Sequence, residues 1–424
     1  MPLPLLRLSP RHVPQDRKPR RNGSAAPPVW TTLLVGLLLG SGCAAIGAEP
    51  LGPRKAGRVP LVTSHYIAPA GVLRVAWQRT LQPAVPFFSY HPQEFATAVA
   101  SPDNQLVFIG SSEKTFYALR GSDGEVVWKR RLTGELAAQP LYLPAGTVGS
   151  EPVVLVGDDD GVLSAIEAAT GSLVWTYRAR GPIHTQPVVH GGLIYITSSE
   201  GRIYGLDLRT GKWVWQYERE ITEGFAIRGS SGVLPVGGRV YVGFPDGYLA
   251  CLNGETGEVV WTRQLSGEAS RFTDVDGTPS VVGETLYVSC YSGGIYALDV
   301  KDGSTRWRFE IEAAGPVTVD ASGYDGERIY ATSANQGLFC LDAKGRKLWN
   351  QSFARQGELA QPVLWDSYLL QSVAADGLYL LNKQNGKLLQ FFDPGQGASA
   401  RAMAQGDRVY ILSNAGSFFA LTTR

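Results

Sequence analysis

Short runs that alternate apolar and polar residues recur along the chain from about residue 71 to residue 424. In one example, apolar runs at 193–196 and 203–206 flank a turn at 200–201, and a second turn at 207–211 leads into a Trp-containing run. Period-two alternation between turns rich in Gly, Asn and Asp is the signature of β-strands joined as hairpins. The pattern predicts an all-β chain made of repeated antiparallel units.

The repeat is marked by Gly, any three residues and Trp. Six copies occur, at Gly124–Trp128, Gly171–Trp175, Gly211–Trp215, Gly257–Trp261, Gly303–Trp307 and Gly345–Trp349. Adjacent copies are 40 to 47 residues apart, as the tryptophans at 175 and 215 and those at 128 and 175 show. This period suits a four-stranded sheet with its turns. Since one such sheet cannot bury both of its faces, the units are expected to stack radially as a β-propeller.

Strand counting predicts eight blades. Tyr-rich strands of one type fall near Val107, Val154, Ile194, Val240, Leu286, Ile329, Leu369 and Val409. The seventh Trp run is degenerate, with Gln390 four residues after Gly386, and no eighth follows the strand at 418–421. Residues 75–79 around Trp77 match the missing run. We therefore expect an eight-bladed propeller of four-stranded antiparallel blades in which this N-terminal strand completes the last blade and closes the ring.

Composition narrows the class of protein. The 424 residues are 44% hydrophobic and 18% charged, and 50 glycines suit a chain of turns and short strands. The formal net charge of +1 argues against a nucleic-acid-binding protein, which would carry a concentrated basic face.

The N-terminal region predicts export. Basic residues precede an apolar run at 29–39, which is too short to span a bilayer and suits a signal peptide, so 1–42 is interpreted as an export signal. Leu39 to Cys43 resembles a bacterial lipobox, which implies lipidation of Cys43, and Ala44 after it implies sorting to the outer membrane. A plain secretory signal cleaved nearby, for example after Ala48, is the alternative. The Gly-, Pro- and Ala-rich residues 43–70 are interpreted as a lipid-anchored flexible linker to a propeller at 71–424.

Signatures of catalysis or metal binding are missing from the sequence. It contains neither Cys-x-x-Cys nor Gly-x-Ser-x-Gly, and its five histidines are scattered. The run at 158–161, Asp-Asp-Asp-Gly, starts like a calcium loop but lacks the later ligands, so we interpret it as a solvated turn. Cys251, Cys290 and Cys340 lie in strand patterns and are expected to be buried. No catalytic residue, metal site or cofactor is predicted.

Two consecutive connections between blades are longer than the others. Counted from Trp to the start of the next blade, they take 17 residues after Trp215 and 18 after Trp261, against 9 to 13 elsewhere. Connections of one type emerge on one face, so these two should be neighbours on one rim. They contain Phe225, Ile227 and Arg228 in the first and Asp274 and Asp276 in the second. These residues could bind a partner, or the apolar pair could cap the core while Arg228 pairs internally with an aspartate.

The repeat itself resembles the tryptophan-docking motif of pyrroloquinoline-quinone (PQQ) propellers. In that family the Trp packs between blades, so the motif reports the fold. Quinone-dependent dehydrogenases also carry a pair of adjacent cysteines over the cofactor, which this chain lacks. A PQQ-dependent oxidoreductase is therefore the alternative enzymatic interpretation.

The region from 71 to 424 also resembles the BamB family, lipoproteins of the outer-membrane β-barrel assembly machinery. That family docks on the POTRA domains of BamA through a Leu-x-Leu-Arg-Gly segment and an Asp-Val-Asp segment in neighbouring interblade loops. Residues 225–229 and 274–276 match these segments, with Phe225 and Ile227 in place of the two leucines. The resemblance implies a non-enzymatic, periplasm-facing scaffold that is monomeric within a complex. It implies Phe225, Ile227, Arg228, Asp274 and Asp276 as partner-binding residues. A generic exported propeller that binds another protein or a glycan is the further alternative.

Overall fold

The computed structural model describes residues 71–81, 94–220, 231–266, 273–275, 277–322, 326–354 and 357–423. Within these residues the chain forms 32 strands, β1 to β32, arranged as eight four-stranded sheets in which neighbouring strands are antiparallel. The same ranges contain no helix of the length and apolar character needed to cross a membrane. The prediction of an all-β, eight-bladed propeller is confirmed.

Each blade takes four strands, and seven blades take them consecutively. Blades 1 to 4 comprise β2 (Val99–Ala100), β3 (Leu106–Ile109), β4 (Thr115–Arg120) and β5 (Val126–Arg131); β6 (Leu141–Leu143), β7 (Val153–Gly157), β8 (Val162–Glu167) and β9 (Leu173–Arg178); β10 (Val188–His190), β11 (Leu193–Ser198), β12 (Arg202–Asp207) and β13 (Trp213–Glu218); β14 (Leu234–Val236), β15 (Arg239–Gly243), β16 (Tyr248–Asn253) and β17 (Val259–Gln264). Blades 5 to 7 comprise β18 (Ser280–Val282), β19 (Thr285–Cys290), β20 (Gly294–Asp299) and β21 (Thr305–Phe309); β22 (Ala314–Asp320), β23 (Arg328–Ser333), β24 (Gly337–Asp342) and β25 (Lys347–Gln351); β26 (Val363–Trp365), β27 (Tyr368–Val373), β28 (Gly377–Asn382) and β29 (Leu388–Phe392). Blade 8 comprises β30 (Met403–Gln405), β31 (Arg408–Leu412), β32 (Ser417–Thr422) and β1 (Arg74–Thr80).

Burial along the strands reflects their place in the ring. The first strands of successive blades, such as β26 and β30, lie against each other and are therefore innermost. The second and third strands are covered on both faces by neighbouring blades, and all five residues of β7 are buried. Such strands appear in the sequence as continuous apolar runs. The fourth strands, such as β5, are outermost and alternate between half-buried and exposed residues.

The repeated tryptophan joins its blade to the next one. In blade 4, the Trp215 Nε1 of the preceding blade donates to the Gly254 carbonyl at 3.0 Å and its ring covers Gly257. A Cβ on Gly257 would lie 2.4 Å from a ring carbon, and its φ of +75° favours glycine. The same indole-to-carbonyl bond is made by Trp77, Trp128, Trp261, Trp307 and Trp349. The motif therefore occupies the boundary between blades.

Strand β1 closes the ring. It pairs antiparallel with β32, from Arg74 opposite Thr422 to Thr80 opposite Ser417. Trp77 then repeats the docking contact towards blade 1, donating to the Gly121 carbonyl at 2.8 Å and covering Gly124. The predicted closure by the N-terminal strand is confirmed.

Gln390, the degenerate member of the repeat, has a distinct partner. Its Oε1 accepts from the Leu73 amide at 2.8 Å and its Nε2 donates to the Leu73 carbonyl at 2.9 Å. Both residues are buried. The next blade receives its fourth strand from the N-terminus, so it presents no Gly-containing turn to a tryptophan at this position. An amide that pairs with the entering backbone takes the place of the indole.

Candidate functional site

The long connection from blade 3 to blade 4 begins after β13 and ends before β14, and the one from blade 4 to blade 5 begins after β17 and ends before β18. Phe225, Ile227, Arg228 and Asp276 lie outside the described residues, as does Cys43. Asp274 is described, together with the residues at which both connections enter and leave the propeller. These ends define where the predicted surface is attached.

Both ends of the first connection are fastened to the turn 243–248 of blade 4, which we call the blade 4 turn. At the leaving end, Arg219 Nε lies 2.5 Å from the Asp246 carboxylate, and its guanidinium lies 3.8 Å from the centre of the Tyr248 ring. A cation held by a carboxylate and an aromatic face combines an ion pair with a cation–π contact. At the returning end, buried Ser231 donates its amide to the Gly243 carbonyl at 3.0 Å and accepts the Gly243 amide on Oγ at 2.7 Å.

The second connection is fastened to the same turn. Leu265 donates its amide to the Gly247 carbonyl at 2.8 Å where the connection leaves. Where it returns, Thr273 Oγ1 donates to the Pro245 carbonyl at 2.9 Å and the Val275 amide donates to the Phe244 carbonyl at 3.1 Å. Four chain ends therefore converge on one six-residue turn, and the two connections are neighbours.

Close packing at this turn depends on a glycine. Val275 is fully buried, and a Cβ on Gly243 would lie 2.3 Å from both its Cγ1 and its carbonyl oxygen. Gly243 therefore lets the second connection lie directly on the turn. The Asp274 carbonyl accepts the Tyr291 amide at 2.9 Å, which joins the same segment to blade 5. Residues 273–275 are thus held rigidly between two blades.

Asp274 is fully buried. Its carboxylate therefore does not face a partner in this arrangement, and its burial favours a role in holding the connection. Burial raises the pKa of the Cys290 thiol, and the nearby Asp274 charge adds to that rise. Of the two roles that the sequence left open for this aspartate, internal positioning has the better physical support.

Sequence reasoning missed the residues that fasten the connections. Arg219, Ser231 and Asp246 lie in stretches that look like ordinary strand ends and turns. Their role depends on which blade they meet, and a single sequence carries no local signal for that.

The chemistry available elsewhere is structural. No group of three or more metal-ligating side chains occurs among the described residues. The run at 158–161 forms the turn between β7 and β8, as predicted, but Asp158 is not solvated: it is fully buried and accepts the amides of Gly134 at 3.0 Å and Val162 at 2.8 Å. Its carboxylate accepts hydrogen bonds from the backbone of this turn and of the connection at 133–134, which is a structural role.

The three described cysteines are buried and unpaired with one another. Burial raises the pKa of Cys251 to about 11 and that of Cys340 to about 12. A reactive cysteine needs a stabilised thiolate, so these residues behave as small apolar side chains, as predicted.

Comparison with known proteins places this geometry in a family. The family model described as "Outer membrane protein assembly factor BamB" matches residues 74–148 and 143–344, which is more than half of the chain. The chain belongs to the BamB family. A BamB from Yersinia pestis is 27% identical over 354 residues, covering 82% of this chain and 76% of that protein.

Solved structures agree on the fold. The crystal structure of BamB from Moraxella catarrhalis superposes with a TM-score of 0.65 at 23% identity, covering 78% of this chain and 98% of that one. A quinohemoprotein alcohol dehydrogenase from Comamonas testosteroni superposes with a TM-score of 0.60 at 14% identity, covering 84% and 78%. At this identity the likeness to the dehydrogenase shows the propeller and nothing about activity. The BamB relatives are named as assembly factors, and the chain is grouped with these non-enzymatic proteins.

Proposed function

We propose that this BamB family member is a lipid-anchored, periplasm-facing scaffold of the outer-membrane β-barrel assembly machinery that binds POTRA domains of a BamA-like partner. One observation carries the proposal: the two connections with the family's docking segments attach to a single turn of blade 4. A shared point of attachment for the two connections limits the conformational entropy lost when they bind.

The residues have separate roles in this proposal. Phe225 and Ile227 supply apolar contact area, and Arg228 fixes the register and speeds the encounter through charge. Asp276 either faces a basic patch of the partner or orients Arg228. Asp274, which is fully buried, positions the second connection.

The first test measures binding of the purified protein to the POTRA domains of a BamA protein from the same envelope. Phe225→Ala and Ile227→Ala should each weaken binding by about 1–3 kcal/mol, and Arg228→Glu by at least as much. Arg209→Glu is the matched control, because it reverses an exposed charge of blade 3 at the turn between β12 and β13, on the opposite face. It should leave the affinity unchanged.

The roles of Asp274 and Asp276 are distinguished by double-mutant cycles, in which each aspartate is substituted alone and together with Arg228. If an aspartate pairs with Arg228 inside the protein, the coupling energy of those two residues appears in the free energy of unfolding of the isolated protein. If Asp276 acts across the interface, stability changes by less than about 0.5 kcal/mol and only binding falls. Asp274→Ala should lower stability, because the carboxylate is buried.

Two results would decide against the proposal. Intact binding after substitution of each of the five residues, Phe225, Ile227, Arg228, Asp274 and Asp276, would reject this surface as the docking site. Absence of a BamA-like protein from material captured with this protein from solubilised envelope would favour the generic propeller that binds another protein or a glycan.

A further inference from the structure

Residues just before the innermost strands make a repeated hydrogen bond to the preceding blade, around the axis of the ring. Gln139 precedes β6, and its Nε2 donates to the Ala98 carbonyl of blade 1 at 2.9 Å. Gln361 precedes β26, and its Nε2 donates to the Val317 carbonyl of blade 6 at 3.0 Å. In each case the amide group is oriented by the blade before it, which leaves its oxygen available as an acceptor.

Blade 8 has an arginine at this position. Arg401 Nη1 donates to Gln361 Oε1 of blade 7 at 2.7 Å, and its Nη2 donates to Gln139 Oε1 of blade 2. Blades 7 and 2 are separated by blades 8 and 1, so the guanidinium joins two blades that are not neighbours in the ring. Both acceptors are neutral amide oxygens.

Arg401 has no acidic counterpart among the described residues, since none of their ion pairs involves it. Burial lowers the pKa of its guanidinium, and no neighbouring carboxylate opposes that effect. Arg401 is half-buried, and a cation partly withdrawn from water is ordinarily paired with an anion, because removing a charge from water is costly. The two bonds to glutamines use only part of the five N–H donors of the group.

A cavity of about 320 Å³ adjoins this arginine. One part of its wall is polar, from Arg401, Gln139, Gln361 and Thr318. The rest is largely apolar, from Pro362, Val363, Leu364, Ala402, Met403 and Ala404. Convergent polar groups at one side of an apolar cavity are the usual composition of a small-molecule site.

We propose that this axial cavity binds a small organic carboxylate, with the carboxylate on Arg401 and an apolar body against the apolar part of the wall. The planar guanidinium matches a carboxylate in geometry and in charge. A single arginine does not neutralise a phosphate dianion, and the apolar wall offers such an anion nothing. The site lies on the axis of the ring and does not depend on the proposed docking function.

The experiment titrates the purified full-length protein with benzoate and with benzamide, its uncharged analogue, by calorimetry. Benzoate should bind at least tenfold more tightly than benzamide. Arg401→Gln should lower benzoate affinity at least tenfold, to the level of benzamide. Arg131→Gln is the matched control, because Arg131 is an exposed arginine of the outermost strand β5, and it should bind benzoate like the unaltered protein.

A second variant keeps the proposal testable if Arg401→Gln does not fold. Gln361→Glu keeps Arg401 and replaces its amide acceptor by a carboxylate, which neutralises the cation internally and should lower benzoate affinity to the same degree. Circular dichroism reports whether each variant folds. Equal binding of benzoate and benzamide, or undiminished benzoate binding in the folded variants, would overturn the proposal. Displacement of benzoate by inorganic phosphate at lower concentrations would also overturn it, because the site would then be selective for inorganic anions.

Discussion

At Gly257 a backbone conformation and a side-chain contact impose the same requirement. The φ of +75° lies in the region that most L-residues avoid, and the ring of Trp215 occupies the space where a Cβ would point. The first condition arises within the turn, whereas the second arises from the preceding blade. The Gly-x-x-x-Trp repeat therefore reflects contacts between blades. The Gly of one copy contacts the Trp of the preceding copy.

Two glycines of blade 4 separate these effects. Gly238 has the same φ of +75° as Gly257, but a Cβ there meets nothing within 4 Å. Gly238→Ala should cost about 1–2 kcal/mol, for the backbone alone. Gly257→Ala should cost about 1–3 kcal/mol more, because the methyl group also displaces Trp215. Urea unfolding of both variants measures the difference, and equal losses would show that the tryptophan contact contributes little.

At the scale of strands and turns, most of the architecture could be predicted from the sequence. Period-two alternation, turn glycines and the spacing of the tryptophans are local signals, and each recurs several times. Repetition averages out the ambiguity of any one copy. The position of Trp77 could be matched for the same reason, because its surroundings copy those of the other outermost strands.

Residues whose partners are distant in sequence could not be interpreted in this way. Gln390 is a poor match to the repeat, yet its partner is the backbone of Leu73, 317 positions away. Asp158 looks like a surface acid, but it is buried because the connection at 133–134 folds over it. Arg401 looks like any arginine before a strand, and only the closed ring brings it to two glutamines. Composition does not reveal such partners.

At the scale of the whole molecule, the proposed lipid anchor determines where the propeller works. If Cys43 is lipidated, the protein should fractionate with the outer membrane, because stable anchoring requires several acyl chains. Cys43→Ser should appear in the soluble periplasmic fraction or should retain its leader. Cys251→Ser, which changes a buried cysteine of the propeller, should fractionate normally. Intact mass measurement decides the question, since an unmodified N-terminus beyond Cys43 in the unaltered protein contradicts the prediction.

Closure of the ring joins the two ends of the propeller, and the pairing of β1 with β32 is one part of that junction. The other part is made by Gln390 of blade 7, which binds the backbone of Leu73 just before β1. The chain is thus held by β29 just before it enters β1 and by β32 along β1 itself. Loss of either contact would free the N-terminal segment and leave β32 with an unpaired edge.

Gln390→Ala tests this second contact. The substitution leaves the buried amide and carbonyl of Leu73 without partners, which should lower the free energy of unfolding by roughly 2–4 kcal/mol. Gln384→Ala, which truncates an exposed glutamine of the same blade, should change it by less than about 0.5 kcal/mol. Gln390→Trp restores the residue of the repeat but should not rescue stability, because Gly71 and Leu73 occupy the space. Hydrogen exchange of residues 71–80 provides the local readout. Protection that survives in Gln390→Ala would show that pairing with β32 alone closes the ring.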